Sequence, residues 1–379
     1  MRRRLGRNPT RRRSRIGLAP FALALAGLMT FALTSIGSAR ARPKCFGETA
    51  TIVGNNGPNK ISGTAHNDVI YGGGGNDTIK TPSGPKNQGK DIICGGPGND
   101  DIVGNGDSEK FSGGPGNDFI KSGNGNNLVV GDNANVSGNE SGASGRDDLV
   151  GGRGPDFIVE DNYAKGGNAG NASPDDNIRA GAGPDVVIGD NASLGGNATG
   201  GANDRMGGAS GNDLVIGDSY TTTGAAIGGG NDDNNSGPGQ DLAVGDSYTK
   251  AGTASTEGGS AVDELHAADG GDFDATCHPA NSCADVFFGD NYRAACAANR
   301  SVDANARVDV IRCVNQNTNG GGPEFNMNPD QGDDFMDGGL PDPDPGGTEG
   351  DRCSGGTGFD IATSCHGIQG GYENELPFP

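Results

Sequence analysis

Aspartates recurring every nine residues among glycines are the side chains of this sequence best placed to do chemistry. In Gly95-Gly96-Pro97-Gly98-Asn99-Asp100-Asp101-Ile102-Val103 the sixth residue is Asp and the eighth is large and apolar. The stretches Gly72 to Lys80 and Gly113 to Lys121 repeat the pattern G-G-x-G-x-D-x-U-x, with U apolar. Glycines at positions one, two and four let the backbone take φ > 0 and turn sharply, which aims carbonyl oxygens inward. The carboxylate of a short Asp side chain cannot swing far. Carbonyls and carboxylates at close range make an all-oxygen donor set, which suits a hard cation and, being loose, Ca²⁺ over Mg²⁺.

Positions seven to nine, with one apolar residue between two others, predict a three-residue strand with one face in and one face out. Two repeats then make a flattened coil of roughly 18 residues, and stacked coils make an all-β solenoid. Residues 54–130 hold this frame with few breaks. Their apolar slot reads Ile61, Ile70, Ile79, Ile93, Ile102, Phe111, Ile120 and Val129. Their acidic slot reads Asn59, Asp68, Asp77, Asp91, Asp100, Glu109, Asp118 and Asn127. Asp100 and Asp118 must therefore lie above one another on the same edge. Carboxylates stacked at the usual strand spacing of about 4.8 Å repel strongly, and a divalent ion between coils removes that repulsion. The pattern reads as a metal array.

A longer rhythm governs residues 131–292. The step Val130-Gly131-Asp132-Asn133 returns at Asp161, Asp190, Asp218 and Asp246 every 28 or 29 residues, and after a longer interval at Asp290. Each unit pairs two nonapeptides, as with Asp147 and Asp156, Asp176 and Asp185, Asp204 and Asp213, and Asp232 and Asp241. The remainder of each unit is expected as a loop, because insertions in a solenoid collect along one side. Tyr163, Tyr220, Tyr248 and Tyr292 should form a ladder on that edge. Such loops read either as a polar surface for a glycan or as tolerated surface growth, which costs little stability. Asn234 and Asp274 place polar groups in the apolar slot, so the array should fray there.

Residues 1–41 combine a basic start, an apolar run from Ile16 to Ile36 and a small-residue site at Ala39-Arg40-Ala41. They read as a secretory signal peptide, leaving no stable membrane span after cleavage. They hold nine of the 28 basic residues and none of the 49 acidic ones, so the remainder carries 19 against 49, a formal −30. That charge argues against nucleic acid and anionic membranes as partners and for cations. Eight cysteines in an exported chain favour disulfides. Nearest-neighbour pairing gives Cys277–Cys283, Cys296–Cys313 and Cys353–Cys365, leaving Cys45–Cys94, in which Cys45 would pin the open end of the array. Residues 42–53 read as an N-terminal cap, 293–330 as an irregular disulfide-tied segment, and 331–379 as repeat remnants with a closing cap.

The nonapeptides resemble those of the haemolysin-type (RTX) calcium-binding repeat proteins of bacteria. Most similar are the small secreted versions, which open with a Cys-x-Gly-x-x-Ala-Thr-Ile-Val-Gly step, here Cys45, Gly47 and Ala50 to Gly54. They close on Gly-Gly-x-Gly-x-Asp before a last cysteine, here Gly355 to Asp360 and Cys365. The resemblance implies a right-handed parallel β-roll with several Ca²⁺ ions between turns. It implies ligation by Asp68, Asp77, Asp91, Asp100, Asp118, Asp147, Asp156, Asp185, Asp213 and Asp241, with carbonyls from turns such as those at Gly72, Gly95 and Gly113. Asn59, Glu109 and Asn127 depart from the pattern, and His66 replaces a turn glycine.

No zinc-protease or serine-hydrolase elbow motif occurs, and His66, His266, His278 and His366 fall in separate regions. Gly217-Asp218-Ser219 and Gly245-Asp246-Ser247 resemble the Gly-Asp-Ser block of lipase-like hydrolases, and Asp263 to His266 its Asp-x-x-His block. The same slot holds Asn133 and Asn291, so the serine is one choice within a repeat. The expectation is a secreted, non-enzymatic, calcium-binding solenoid. The alternative is a calcium-stabilised adhesive protein holding a glycan or cell surface through its edge loops.

Overall fold

One large apolar residue in every nine, always at the same phase, can be buried only if successive strands stack in register. The computed structural model has that arrangement. It describes residues 41–251 except 83–88, 107, 172–174 and 239–240, and beyond 251 the backbone of short strands alone. The described strands fall within one unit, Arg42–Pro379.

Among the described residues the repeats form two parallel ladders. The long sheet has 13 strands, running from Ile52–Val53 through Val69–Tyr71, Ile92–Cys94, Lys110–Ser112 and Leu128–Val130 to Tyr372–Glu375. The short sheet has nine, running from Lys60–Ser62 through Thr78–Lys80, Asp101–Val103 and Phe119–Asn124 to Glu264–His266. Register is kept at the apolar slot: Ile61 faces Ile79, Ile79 faces Ile102 and Ile102 faces Ile120. On the long sheet Ile70, Ile93, Phe111, Val129, Ile158 and Val187 follow one another in the same way. Except for Ile61, which is half-buried in the first coil, these side chains are fully buried and form the inner core. No helix occurs among the described residues, so none is long and apolar enough to cross a membrane. The fold is the parallel β-roll that the repeats predict.

The array does not fray at Asn234. Strand Asp233–Asn235 pairs with Arg205–Ser210 on one side and Glu264–His266 on the other. Asn234 is buried, and its Nδ2 donates to the Val244 carbonyl at 3.2 Å, which partners the donor side of the amide in an apolar slot and leaves Oδ1 buried without a partner. Asp274 lies outside the described residues.

The edge loops expected between residues 131 and 292 are replaced by two further parallel ladders. One aligns Ala134–Asn135, Tyr163–Ala164, Ala192–Ser193, Tyr220–Thr221, Tyr248–Thr249 and Tyr292–Arg293. The other aligns Ala169–Gly170, Ala198–Thr199, Ala225–Ile227 and Thr253–Ser255. The reason lies on the outer face of the long sheet. In the early coils its outward positions include Lys110 and Ser112. From residue 128 they become Leu128 and Val130, then Phe157 and Val159, Val186 and Ile188, and Leu214 and Ile216. A strand apolar on both faces must be covered on both. The inserted residues fold back to cover it, and Val130, Val159, Ile188, Ile216 and Val244 are buried with Tyr163, Tyr220 and Tyr248 in a second core. The tyrosine ladder is interior: Tyr220 stacks on Tyr248 at 5.6 Å, and Phe157 meets Tyr163 edge-on.

The N-terminal segment does the same for coils that lack the insertion. Lys44–Cys45 and Glu48–Thr49 form an antiparallel hairpin, with Phe46 at φ 48° in its turn. Cys45 and Phe46 join the second core against Val69 and Ile92, and Cys45 is disulfide-bonded to Cys94. That pairing agrees with the sequence. Its place does not, because the hairpin lies along the outer face of the long sheet instead of across the end of the solenoid. The pairs expected for Cys277, Cys283, Cys296, Cys313, Cys353 and Cys365 fall outside the described side chains, as do residues 1–40.

Candidate metal sites

The position-six residues stand in two columns, one at the start of each sheet's strands. Asn59, Asp77, Asp100, Asp118, Asp147, Asp176, Asp204 and Asp232 form the first. The backbone N–H of each donates to the side chain of the next: Asp77 to Asp100 Oδ1 at 2.7 Å, Asp100 to Asp118 at 2.6 Å, and Asp118 to Asp147 at 2.7 Å. Asp68, Asp91, Glu109, Asn127, Asp156, Asp185, Asp213 and Asp241 form the second, with Asp156, Asp185 and Asp213 each donating to the next at 2.8 Å. All the expected aspartates are buried, none exposed by more than 7%.

The second carboxylate oxygen is the informative one. Oδ2 of Asp77, Asp100, Asp118, Asp147, Asp185, Asp204 and Asp213 is buried and has no hydrogen-bond partner. It also faces other oxygens. A Cβ placed on Gly95 would lie 2.1 Å from Asp100 Oδ2 and 2.6 Å from the Gly113 carbonyl oxygen. On Gly113 it would lie 2.2 Å from both Asp118 Oδ2 and the Gly131 carbonyl, and on Gly72 it would lie 2.5 Å from both Asp77 Oδ2 and the Gly95 carbonyl. Position one is therefore glycine because two oxygens occupy the space of a side chain. Gly96 and Gly98, at positions two and four, have φ of 100° and 145° and supply the turn itself.

Two slots act as internal controls. Where Asn127 replaces Asp, its Nδ2 donates to the turn carbonyls of Asn124 and Gly125 at 3.4 Å and to Ser122 Oγ at 3.2 Å. Asn59 Nδ2 likewise donates to the carbonyls of Asn55 and Gly57. A neutral amide thus satisfies the turn oxygens from within. An aspartate at the same place brings no donor, only a further acceptor, so the cluster of oxygens calls for a positive centre. The donor set, oxygen only and partly anionic, fits Ca²⁺. Asp68 differs, since its Oδ2 accepts from the N–H of Thr64 at 2.5 Å in the copy that carries His66. Glu109 turns its Oε2 to the N–H of Asn105 at 3.1 Å.

Burial has the expected electrostatic effect. It pushes Asp100 and Asp185 up to about 7 and Asp118 and Asp213 up to about 8, against a backbone N–H that pulls each down and a neighbouring aspartate that adds to the rise. Asp156 rises to about 6 for the same first reason.

The sequence reading left several acids without a role. Asp132, Asp161, Asp190, Asp218 and Asp246, seen only as markers of the long rhythm, are fully buried beside the first column. Asp132 Oδ2 accepts from the Gly145 N–H at 3.2 Å, and burial, with Asp147 and Asp161 next to it, pushes Asp132 up to about 11. Asp176, Asp204 and Asp232 complete the first column although Asn177, Arg205 and Asp233 follow them. Among the described residues, Glu160, Asp176 and Asp204 bring one carboxylate oxygen each to within 4.8 Å of one another. The signal for Glu160 was its place in a step that otherwise holds glycine.

Ser219 is fully buried and donates to the Gly200 carbonyl at 3.3 Å, and His66 is exposed on a turn.

A search of the curated proteins and a search of the solved structures each found no significant match. A family model does match: the RTX calcium-binding nonapeptide repeat, in segments 48–79, 87–102, 103–135, 141–159 and 175–192. These segments contain the glycine cradles at Gly72, Gly95 and Gly113 and the buried acids that face them. Between residues 48 and 192 the chain is built of RTX repeats, the calcium-binding kind.

Proposed function

We propose that this chain is an exported calcium-binding solenoid whose folding is driven by the ion, and that it acts as a binding scaffold without catalysis. The ligand set is Asp77, Asp91, Asp100, Asp118, Asp147, Asp156, Asp185, Asp213 and Asp241, completed by turn carbonyls around Gly72, Gly95 and Gly113. The observation that carries the reading is the contrast between Asp118 and Asn127. The asparagine amide fills its turn with a donor, whereas the aspartate faces its turn with an unbonded oxygen. Bound Ca²⁺ supplies there the positive charge that the side chains lack.

Coupling to folding follows from the thin core and the density of acids. Each ion adds about 1.4 kcal/mol of stability for every tenfold excess over its Kd, and several such sites switch a domain of marginal stability. Extracellular sites of this chemistry work at about 10⁻⁴ to 10⁻³ M, which favours folding after export. Circular dichroism of the chain lacking residues 1–41, titrated with CaCl₂ and in parallel with MgCl₂, tests this. A cooperative gain of β signal with calcium alone is expected. A full β signal in excess EGTA, with no ion detected by mass spectrometry, would falsify it.

A further inference from the structure

In the long-period coils the residue before the buried step aspartate is Gly131, Gly189, Gly217 and Gly245, but in one coil it is Glu160. The backbone places Glu160 in register with those glycines, since Gly131 N–H donates to Val159, Glu160 N–H to Ile188 and Gly189 N–H to Ile216. A Cβ on Gly131, Gly189 or Gly217 would sit 1.9, 1.8 or 1.5 Å from a carbonyl oxygen of the next coil, and within 2.9 Å of Oδ2 of Asp147, Asp204 or Asp232. A side chain here thus enters the space between coils where the acids converge.

Glu160 does so. Its carboxylate is fully buried, neither oxygen has a hydrogen-bond partner, and one oxygen lies within 4.8 Å of carboxylate oxygens of both Asp176 and Asp204. Asp204 Oδ2 is likewise buried and unbonded. The charged groups acting on Glu160 are Asp204, Asp176, Asp161 and Asp190, all acids. Three converging carboxylates sealed from water, with no cationic side chain among them, are the strongest demand for a cation in the described residues.

We infer that Glu160, Asp176 and Asp204 form a separate three-carboxylate calcium site, tighter than the single-aspartate turns, which fills first and orders the four-ladder coils around it. The inference rests on the calcium reading above and deepens it. Affinity of oxygen sites rises with the number of charged ligands, and three carboxylates converge here. The sharp rival is that Glu160 is a protonated plug doing what Asn127 does.

Equilibrium dialysis of the chain lacking residues 1–41 against CaCl₂ decides it, using the unaltered protein, Glu160→Gln and Glu160→Gly. The glycine variant restores the residue found at the sister positions, so it remains informative if the glutamine variant does not fold. One site filled at free calcium at least tenfold below the others is expected in the unaltered protein and absent from both variants. The same isotherm in all three, or one more ion bound by Glu160→Gly than by the unaltered protein, overturns the proposal and makes Glu160 a plug. Absence of calcium binding from all three overturns the reading of the whole array as well.

Discussion

The backbone N–H of Asp100 donates to Oδ1 of Asp118, 2.6 Å away in the next coil. The contact fixes how each aspartate is used. One oxygen stitches coil to coil, as a backbone ladder would, and the other is left facing the turn. The same residue therefore sets the spacing of the solenoid and supplies its charge.

Replacing Asp118 by Asn should mimic Asn127. The amide oxygen still accepts from Asp100, while the new Nδ2 donates to the turn. Stability in EGTA should rise by about 1–2 kcal/mol, the usual cost of a buried unsatisfied acceptor, while the number of bound calcium ions falls. Urea unfolding and calorimetric titration measure both, and lower metal-free stability with unchanged ion number contradicts the scheme. Asp118→Ala, which also removes the acceptor, should be less stable than either.

Gly95→Ala should act through space alone. Its Cβ would meet Asp100 Oδ2 at 2.1 Å, and backbone and carboxylate must both shift. A loss of about 1–3 kcal/mol and a calcium midpoint raised at least several-fold are expected. Gly74→Ala is the control, since its nearest neighbour is 3.6 Å away, and it should behave as the unaltered chain in the same titration.

Acid should partly replace calcium. Asp100, Asp118, Asp185 and Asp213 have pKa values near 7 or 8 in the fold, raised first by burial, against an ordinary 3.8. A group whose pKa is raised on folding favours the fold most below its unfolded value and loses that contribution as pH climbs through the folded one. Metal-free stability should therefore fall from pH 4 to pH 8, and calcium binding near pH 7 should release protons. Denaturant midpoints across that range in metal-free buffer test the first. Calorimetry in two buffers of different ionisation enthalpy tests the second.

The second core gives a prediction independent of metal. Ile216 is fully buried on the outer face of the long sheet, and Ile216→Ala should cost about 2–4 kcal/mol even at saturating calcium. Lys121, outward on the short sheet and exposed, should change stability by no more than about 0.5 kcal/mol when replaced by Ala. Equal effects at the two positions would mean that the outer face is not a core.

The inner core and both acid columns were legible because one spacing carries them. Ile102, Ile120 and Asp100, Asp118 keep a fixed phase, and phase is what a sequence displays. The further ladders were hidden because strands such as Ala134–Asn135 and Ala169–Gly170 have two small or polar residues each and no alternation to detect. Their cause was visible in the change from Lys110-Phe111-Ser112 to Leu128-Val129-Val130, where flanking polar residues turn apolar. The sequence accounts for glycine at position one by the turn, whereas in the fold Gly95 yields its volume to oxygen atoms of Asp100 and Gly113. The buried Asp132 and Asp190 were visible as letters, but their enclosure depends on the fold-back that the spacing did not announce.

The amide of Asn127 has a consequence for the molecule as a whole. Along one edge, acids run without a break from Asp77 to Asp232, so ions arriving there experience a single file of negative charge. Along the other edge a neutral residue separates Asp91 and Glu109 from Asp156, Asp185, Asp213 and Asp241. That edge carries its charge in two lengths joined by a neutral residue, whose side chain accepts from the Glu109 N–H and whose own backbone N–H donates to Asp156, so the early and late coils stay linked along both flanks while the charge is continuous along only one.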